Sequence, residues 1–309
     1  PRGTAMLRVL RRFIEDEETK RGYKYTLTPY MAKSELYKIS GHWDHYKENM
    51  FTISEESTDE EIALRPMTCP YQFMIYNRKI HSYKDLPIRY AETSTLFRNE
   101  GSGAMHGLIR IRQFTLSEGH IICRMDQIEE EFTNVLNFVN YVMETLDLAQ
   151  YVTYQFSKWD PDNLEKYINN PQAWESSERI LKKILDHLGL DYKEKAGEAA
   201  FYGPKLDINM KNVWGKEDTV ITLQIDFALP ERFGMKYQDK NGEEKFNLIS
   251  FKTTIKQRLS PDKLFVNIGP IGNCGHFSLD CFTIKKNSLS IYFDPELRLC
   301  QDTLFSLLL

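Results

Sequence analysis

The sequence predicts an α+β fold in which an antiparallel β-sheet is flanked by helices. Hairpin-length links join consecutive strand-like segments, whereas parallel strands need crossovers of a dozen or more residues. Segments with helical periodicity stand beside these strands rather than alternating with them one by one. With 309 residues and 41% hydrophobic content, the chain is long enough to bury a large core.

The first elements are a helix and a strand. Leu7, Leu10, Phe13 and Ile14 recur at helical spacing, and Gly22 follows them as a stop signal. Residues 23–29, YKYTLTP, are rich in β-branched and aromatic side chains and end at a proline. The sequence therefore predicts an amino-terminal helix that leads into a strand.

Residues 90–120 predict a long antiparallel hairpin. The strand-like outgoing segment runs into a flexible loop at residues 99–103, NEGSG. The returning segment alternates Ile109 and Ile111 with Arg110 and Arg112, so we expect the two arginines to share one face of the sheet.

Two further helices and a second pair of strands complete the predicted sheet. A helical stripe runs from Ile128 to Leu146, with Asp126 and Glu129 spaced as a capping box. Another helix is predicted over residues 174–188, before Gly189. Residues 206–210 and 219–227 then predict two strands joined by a turn-like segment.

Composition limits the classes of function. The net charge of −4 gives no general basic character, so a nucleic acid would have to meet a local basic patch. No apolar run of about eighteen residues and no charged-then-apolar leader occurs, so we expect neither a membrane span nor a signal peptide. The five cysteines are odd in number and widely spaced, which favours a reducing compartment and a cytoplasmic location.

The hairpin carries the residue types of an anion-binding site. Arg98 lies near the loop on the outgoing segment, so three guanidiniums can converge with Arg110 and Arg112 to clamp phosphate or carboxylate. Phe114 follows Arg110 by four residues and could stack on a base from the same face. The alternative is a solvated face on which the arginines pair with nearby acids, namely Glu92, Glu100 and Glu118.

A thiol and an imidazole lie on the two segments that lead into and out of this hairpin. Cys69 belongs to RPMTCP at residues 65–70, and His120 ends the returning strand. By residue type alone, Cys69 fits a small buried side chain and His120 a core or strand-end histidine, because no local spacing links them as metal ligands.

Several of these segments resemble one enzyme family. FRNE at residues 97–100, the Gly-Ser loop and the R-x-x-x-F at residues 110–114 resemble motif 2 of class II aminoacyl-tRNA synthetases. The surrounding sequence is similar to the threonyl-tRNA synthetase family over about four-fifths of the chain. The supporting segments are residues 28–51, 65–70, 106–115, 200–207 and 223–233.

The resemblance implies an ATP site on the hairpin. Arg98 matches the catalytic arginine that grips the α-phosphate and the amino-acid carboxylate, where a cation stabilises the transition state. Glu100 matches the acid that reads the adenine amino group, Arg110 the arginine near the terminal phosphates, and Phe114 the ring stacked on adenine. ATP is expected with Mg²⁺, which bridges its phosphates.

The resemblance also implies a zinc-dependent pocket for threonine. Cys69 and His120 match two of three zinc ligands, and the open position of that Zn²⁺ takes the amino and hydroxyl groups of threonine. Glu118 stands where an acid of the family, which is also found as aspartate, receives the hydroxyl group. Four residues match pocket positions, with Lys205 also assigned to catalysis: Tyr202, Lys205, Gln224 and Asp226. Surface positions with buried stems are the alternative for Tyr202 and Lys205.

The resemblance ends near residue 246. We therefore expect a catalytic core with motifs 1 and 2 over residues 1–246, and an unassigned tail over residues 247–309. The tail lacks the third zinc-binding histidine and the glycine-led Glu-Arg helix of motif 3, and a frame change or wrongly joined gene end would account for it. His276, beside Cys274 and Cys281, is a candidate replacement ligand.

The function expected from the resemblance is that of a threonine–tRNA ligase. L-threonine and ATP would form threonyl-adenylate, and the threonyl group would pass to tRNA(Thr). The motif 1 resemblance, with Pro29 at the subunit interface and a packing role for His42, implies a homodimer. The alternative is an inactive or partial nucleotide-binding remnant, because motif 3 is missing.

Overall fold

A mixed sheet organises the part of the chain that the computed structural model describes, which is residues 2–55, 60–105, 110–163, 165–211, 215, 217–246 and 248–256. The helices are α1 (Arg2–Lys20), α2 (Ser34–Ser40), α3 (His42–Tyr46), α4 (Cys69–Tyr76), α5 (Ile128–Thr145), α6 (Pro171–His187) and α7 (Leu229–Arg232). The strands are β1 (Lys24–Tyr25), β2 (Met31–Lys33), β3 (Thr52–Glu55), β4 (Glu60–Leu64), β5 (Ile88–Phe97), β6 (Gln113–Arg124), β7 (Val152–Ser157), β8 (Tyr192–Lys195), β9 (Lys205–Lys211), β10 (Glu217–Asp226), β11 (Tyr237–Gln238), β12 (Glu244–Lys245) and β13 (Leu248–Lys256).

The main sheet has the order β1-β5-β6-β13-β10-β9-β7-β8. Every pairing from β5 across to β7 is antiparallel, and only the outer pairs β1/β5 and β7/β8 are parallel. A small sheet β2-β4-β3 and the hairpin β11-β12 lie outside it. The predicted α+β class with helices flanking the sheet is confirmed, with parallel pairing added at both edges.

Three helices cover the apolar face of the main sheet. Buried side chains of α1, α5 and α6 form one cluster with Ile121, Leu206 and Leu223 of the strands. Because neighbouring strand residues point to opposite faces, the residues in between face the other side. The sheet therefore has one face packed under these helices, while the other face carries polar residues beside a second apolar cluster with α4 and α7.

The predicted stripe on α5 faces this core, but the predicted capping box is wrong. Phe132 and Val139 are fully buried. Gln127 occupies the N-cap position without a side-chain hydrogen bond, and Asp126 instead pairs with Arg124. A guanidinium two residues away competes for the carboxylate that was expected to cap the helix.

The predicted hairpin forms, although its arginines lie outside the strands. β5 and β6 pair from Ile88↔Ile122 to Phe97↔Gln113. Arg110 and Arg112 precede β6, so strand alternation does not set their directions. The strand predicted over residues 23–29 is reduced to the two residues of β1.

β13 lies in the middle of the sheet, although the sequence analysis left its residues in the unassigned tail. It pairs with β6 on one side and β10 on the other. Ile249 and Ile255 join the apolar core, while Lys252 is buried on the opposite face. Residues 257–309 lie outside the described residues, and with them His276, Cys274 and Cys281. Among the described residues, no helix is both long and apolar enough to cross a membrane.

Candidate functional site

The polar face of the sheet aligns candidate residues in a row across five strands. His120 pairs with Tyr90 on one side and with Lys252 on the other, and Lys252 in turn pairs with Gln224 and Gln224 with Lys205. Two residues along β6, Glu118 begins the adjacent row, which continues through Thr254 and Thr222 to Asp207. Strand pairing thus brings together groups that are far apart in the sequence.

Cys69 and His120 contact each other directly. The Sγ atom of Cys69, the first residue of α4, lies 2.9 Å from Nε2 of His120, and both side chains are buried. Burial raises the pKa of Cys69 to about 12 and lowers the pKa of His120 to about 3, so both groups are neutral at neutral pH. The Nδ1 atom of His120 has no hydrogen-bond partner among the described residues.

Glu118 is a buried carboxylate with a buried cation beside it. Its Oε2 atom accepts hydrogen bonds from the backbone N–H of Thr68 at 3.0 Å and the hydroxyl group of Thr68 at 2.7 Å. Lys252 Nζ lies 2.6 Å from Oε1 of Glu118. Burial alone would raise the pKa of Glu118, but the charge of Lys252, the neighbouring His120 and the hydrogen bonds lower it to about 2. The site therefore holds an ionised carboxylate.

Lys252 itself stays protonated. Burial would lower its pKa, whereas the charge and the hydrogen bond of the Glu118 carboxylate raise the pKa above its ordinary value. The ammonium in turn lowers the pKa of Cys69 by its charge and a hydrogen bond. Lys252 thus lies among the groups that the sequence analysis assigned to metal and substrate.

Tyr202 and Gln224 form the next contact in the site. The Tyr202 hydroxyl donates a hydrogen bond to Oε1 of Gln224, and the Tyr202 side chain is buried. The surface alternative therefore does not describe Tyr202. Lys205 is mostly buried as well, and its Nζ atom donates to Oδ2 of Asp207 at 2.7 Å.

Asp226 differs from the other pocket candidates because its carboxylate accepts hydrogen bonds from the backbone. Its Oδ1 atom accepts hydrogen bonds from the backbone N–H groups of Ala228 at 3.0 Å and Leu229 at 2.9 Å, at the start of α7. Burial raises its pKa to about 7, and these two hydrogen bonds oppose the rise. The carboxyl group therefore holds the turn between β10 and α7, whatever else it contacts.

At the loop end of the hairpin, Arg98 and Phe114 form a separate pair. The guanidinium carbon of Arg98 lies 5.0 Å from the centre of the Phe114 ring, and that ring is buried. The Nε atom of Arg98 is buried and has no hydrogen-bond partner among the described residues. An unpaired guanidinium nitrogen over an aromatic ring is suited to an anionic ligand.

The other two hairpin arginines contact Glu100 instead. Arg110 donates to Oε2 of Glu100 from Nε at 2.9 Å, and Arg112 Nε donates to the Glu100 carbonyl at 3.0 Å. Glu92 pairs with Arg65 and Glu118 with Lys252. Of the alternative ion pairs predicted for the hairpin, the structure thus forms the one between Arg110 and Glu100.

His42 is a further buried residue beside the site, with its ring centre 6.5 Å from that of Tyr202. Burial lowers its pKa to about 3, and the positive charges of Lys252, Arg232 and Arg98 lower it further. Its Nδ1 atom lies 2.7 Å from the Ser40 hydroxyl, and Nε2 has no partner among the described residues. A packing role was predicted for His42, and its ring lies edge-on to that of Phe201 with 5.1 Å between the ring centres.

Lys252 and Thr68 lie in the site but were not predicted from the sequence. The signal for Lys252 was its place in LISFKTTIK, where a lysine stands out of phase with the buried Ile249 and Ile255. That phase places it on the polar face once the segment is recognised as a strand. Thr68 had no such signal, because its contact with Glu118 depends on tertiary packing.

Comparison with known proteins adds a family match. The family model of the tRNA synthetase class II core domain (G, H, P, S and T) matches residues 51–259. A threonine–tRNA ligase of Clostridium perfringens is 62% identical over 256 residues, which are 82% of this chain and 40% of that protein. The corresponding protein of Staphylococcus carnosus is 48% identical over 244 residues, 79% of this chain and 38% of that protein.

A solved structure shows the same relationship in three dimensions. The crystal structure of the RNA binding domain of threonyl-tRNA synthetase from Cryptosporidium parvum superposes with a TM-score of 0.77 at 32% identity. The superposition covers 85% of this chain and 64% of the Cryptosporidium parvum chain. The chain spans 40% of the length of the first of its curated relatives.

Proposed function

Since this chain belongs to the class II tRNA synthetase core family, among the threonyl-tRNA synthetases, we propose that it activates L-threonine with ATP and transfers it to tRNA(Thr). The observation that carries the proposal is the 62% identity to a threonine–tRNA ligase over 82% of the chain. The geometry supports it, because the hairpin carries an arginine whose Nε atom has no hydrogen-bond partner among the described residues, and a buried polar pocket lies on the sheet.

In the proposed reaction, the threonine carboxylate attacks the α-phosphate of ATP and pyrophosphate leaves. Arg98 would stabilise the negative charge that develops on the oxygens of the α-phosphate, using the Nε atom that has no partner among the described residues. Phe114 would stack on adenine. ATP would bind as its magnesium complex, in which the metal neutralises the phosphate charge.

Binding of ATP would change the pairing of Glu100. In the structure Arg110 occupies Oε2 of Glu100, whereas we propose that Glu100 accepts from the adenine amino group and Arg110 contacts the terminal phosphates. The phosphates can attract Arg110 because more than half of its side chain is exposed. The Glu100–Arg110 ion pair would thus open as the nucleotide binds.

The threonine side of the pocket is proposed to consist of Glu118, Tyr202, Gln224, Lys205 and Asp226. Glu118 is ionised and can accept from a ligand hydroxyl group. A site that bonds the hydroxyl group of its substrate discriminates strongly against an analogue that lacks it, because a buried polar group is then left unpaired. Such a pocket would separate threonine from valine.

The zinc implied by the resemblance does not fit the residues that the structure describes. A catalytic zinc takes three protein ligands and keeps an open position. Cys69 and His120 provide two donors, but no group of three or more histidine, cysteine, aspartate or glutamate side chains is placed to bind a metal in the described part of the chain. The side chain that reaches the pair is Lys252, and we derive no step through zinc.

Three further properties belong to the same proposal. The similarity to threonine–tRNA ligases supports tRNA(Thr) as a partner. The motif 1 resemblance supports a homodimer. The two cysteines of the described residues are free, which agrees with a cytoplasmic protein.

The test is threonine-dependent exchange of pyrophosphate into ATP. We expect exchange in the wild type and a loss of roughly 10²- to 10³-fold in kcat for Arg98→Ala, the usual effect of removing one transition-state donor. Arg11→Ala changes an exposed arginine of α1 and is the control, with no effect expected. Binding of ATP without any exchange in the wild type would refute the proposal and favour a nucleotide-binding remnant.

A further inference from the structure

Lys252 occupies the corner of the site next to the Cys69–His120 pair. It stands opposite His120 in the pairing of β13 with β6, and its side chain is buried with its ammonium 2.6 Å from the Glu118 carboxylate. Cys69 also lies beside the ammonium, which lowers the pKa of the thiol by its charge and a hydrogen bond. In the threonyl-tRNA synthetase family, the strand at this point of the chain is expected to carry the third zinc-binding histidine.

We propose that the Lys252 ammonium replaces zinc as the fixed cation of this pocket, so that the centre formed by Cys69, His120 and Glu118 works without a metal. This inference rests on the proposed function only where it says what the pocket binds. The absence of zinc from the pocket does not depend on that function. Lys252 is then a positioning residue, because it acts on the substrate through the carboxylate of Glu118.

The chemistry of the two cations supports the replacement of zinc by Lys252. A protonated lysine has three N–H donors and no lone pair, so it cannot be a metal ligand. Zinc at Cys69 and His120 would place a divalent cation beside a buried ammonium. Two neighbouring positive charges repel strongly where water is excluded. Moving Lys252 away instead would leave Glu118 without its partner, which is costly for a buried charge.

The direct contact between Cys69 and His120 agrees with this reading. Zinc binds the thiolate form of cysteine, and it must displace the thiol proton. In the structure Nε2 of His120 lies at hydrogen-bonding distance from Sγ of Cys69, so the thiol can donate a hydrogen bond to the imidazole. The thiol of Cys69 and the Nε2 atom of His120 thus have each other as partners without a metal.

The test is the metal content of the full chain. Wild-type protein is incubated with Zn²⁺, dialysed against metal-free buffer and measured by atomic emission. We expect far less than one zinc per chain. We expect about one zinc per chain in Lys252→His, because a third imidazole beside Cys69 and His120 completes the usual set of three ligands.

Two controls make the result specific. Lys252→Met removes the charge without adding a donor and is expected to bind no zinc. Cys69→Ser in the Lys252→His background is expected to lose the gained zinc. Circular dichroism and thermal unfolding show whether each variant is folded.

Two outcomes overturn the proposal. Stoichiometric zinc in the wild type that disappears in Cys69→Ser would show that Lys252 does not replace the metal. A folded Lys252→His that binds no zinc would show that Lys252 does not occupy the third-ligand position. Should Lys252→His fail to fold, Co²⁺ titration of the wild type decides, since thiolate-to-cobalt absorption contradicts the proposal and its absence supports it.

Metal content and pyrophosphate exchange are read separately. A chain without zinc that exchanges pyrophosphate supports both proposals. If the chain binds no zinc and does not exchange pyrophosphate, the proposed lysine centre stands and the proposed enzymatic function is refuted. If the chain is active and binds stoichiometric zinc, only the proposed lysine centre is refuted.

Discussion

At the scale of single residues, Arg65 shows that a motif can contain structural as well as functional side chains. This arginine of RPMTCP is almost fully buried and forms an ion pair with Glu92, 2.7 Å between Nη1 and Oε1. Nη1 also donates to the carbonyl and hydroxyl oxygens of Thr28, and Nε donates to the carbonyl oxygen of Thr95. Arg65 thus ties the segment before β2 to β5, four residues before Cys69.

We predict that Glu92→Gln destabilises the protein strongly. It leaves the Arg65 guanidinium buried without a counter-charge, which typically costs about 3–5 kcal/mol of unfolding free energy. Urea denaturation measures the change. Glu60→Gln breaks the exposed pair with Lys33 and serves as the control, with an expected cost below about 1 kcal/mol. Equal effects of the two substitutions would contradict the prediction.

At the scale of elements, the segment AFYGPK depends on a close approach to β10. A side chain at Gly203 would place its Cβ atom 1.8 Å from the carbonyl oxygen of Ile225, which is impossible without moving the backbone. Ile225 N–H also donates to the Pro204 carbonyl at 3.0 Å. This contact holds Tyr202 beside Gln224 and Lys205 at the start of β9.

We predict that Gly203→Ala lowers stability and also disturbs the pocket. Overpacking against a backbone atom typically costs about 1–3 kcal/mol, and the displaced segment would weaken the contact of Tyr202 with Gln224. Urea denaturation and the KM for threonine in pyrophosphate exchange measure the two effects. Gly101→Ala is the control, because its added methyl group meets open space. An unchanged stability in Gly203→Ala would show that the approach is looser than described.

At the scale of the whole molecule, the sheet separates an apolar face under α1, α5 and α6 from a polar face with several buried charges. Glu18 is an exception, because this buried acid lies on α1. It accepts hydrogen bonds from the Ser117 hydroxyl at 2.9 Å and the Tyr25 hydroxyl at 3.0 Å. No ion pair of Glu18 occurs within the described residues, so burial raises its pKa to about 7.

This acid predicts a pH dependence of stability. The pKa of Glu18 is about 7 in the folded chain against 4.5 ordinarily, so the folded state holds the proton more tightly. Its contribution is therefore fully present below about pH 4.5 and is lost as the pH rises through about 7. The loss is at most about 3.5 kcal/mol, since one pKa unit corresponds to about 1.4 kcal/mol.

Unfolding free energies of the wild type and Glu18→Gln between pH 4.5 and 8 check this prediction. The amide does not titrate, so the difference between the two proteins should change with pH in favour of the variant. Asp16→Asn removes an exposed acid from the same helix and should leave the wild-type pH profile almost unchanged. Parallel profiles for the wild type and Glu18→Gln would contradict the assigned pKa.

Local patterns were sufficient for much of the fold. The helical stripe of α5 and the paired segments of β5 and β6 were predicted from periodicity, because period and turn residues are properties of neighbouring positions. β13 was not predicted. A strand of mixed polar and apolar residues is stabilised by its neighbours, here β6 and β10, rather than by its own pattern.

The sequence by itself determined the α+β class, the hairpin and the family, because periodicity and motifs are written along the chain. Only the tertiary structure decided what surrounds the candidate residues. It placed Lys252 between His120 and Gln224 and paired it with Glu118, through strand pairing that sequence spacing does not reveal. Such pairing fixes which charges share a buried space, and a buried carboxylate beside an ammonium differs chemically from one beside a metal.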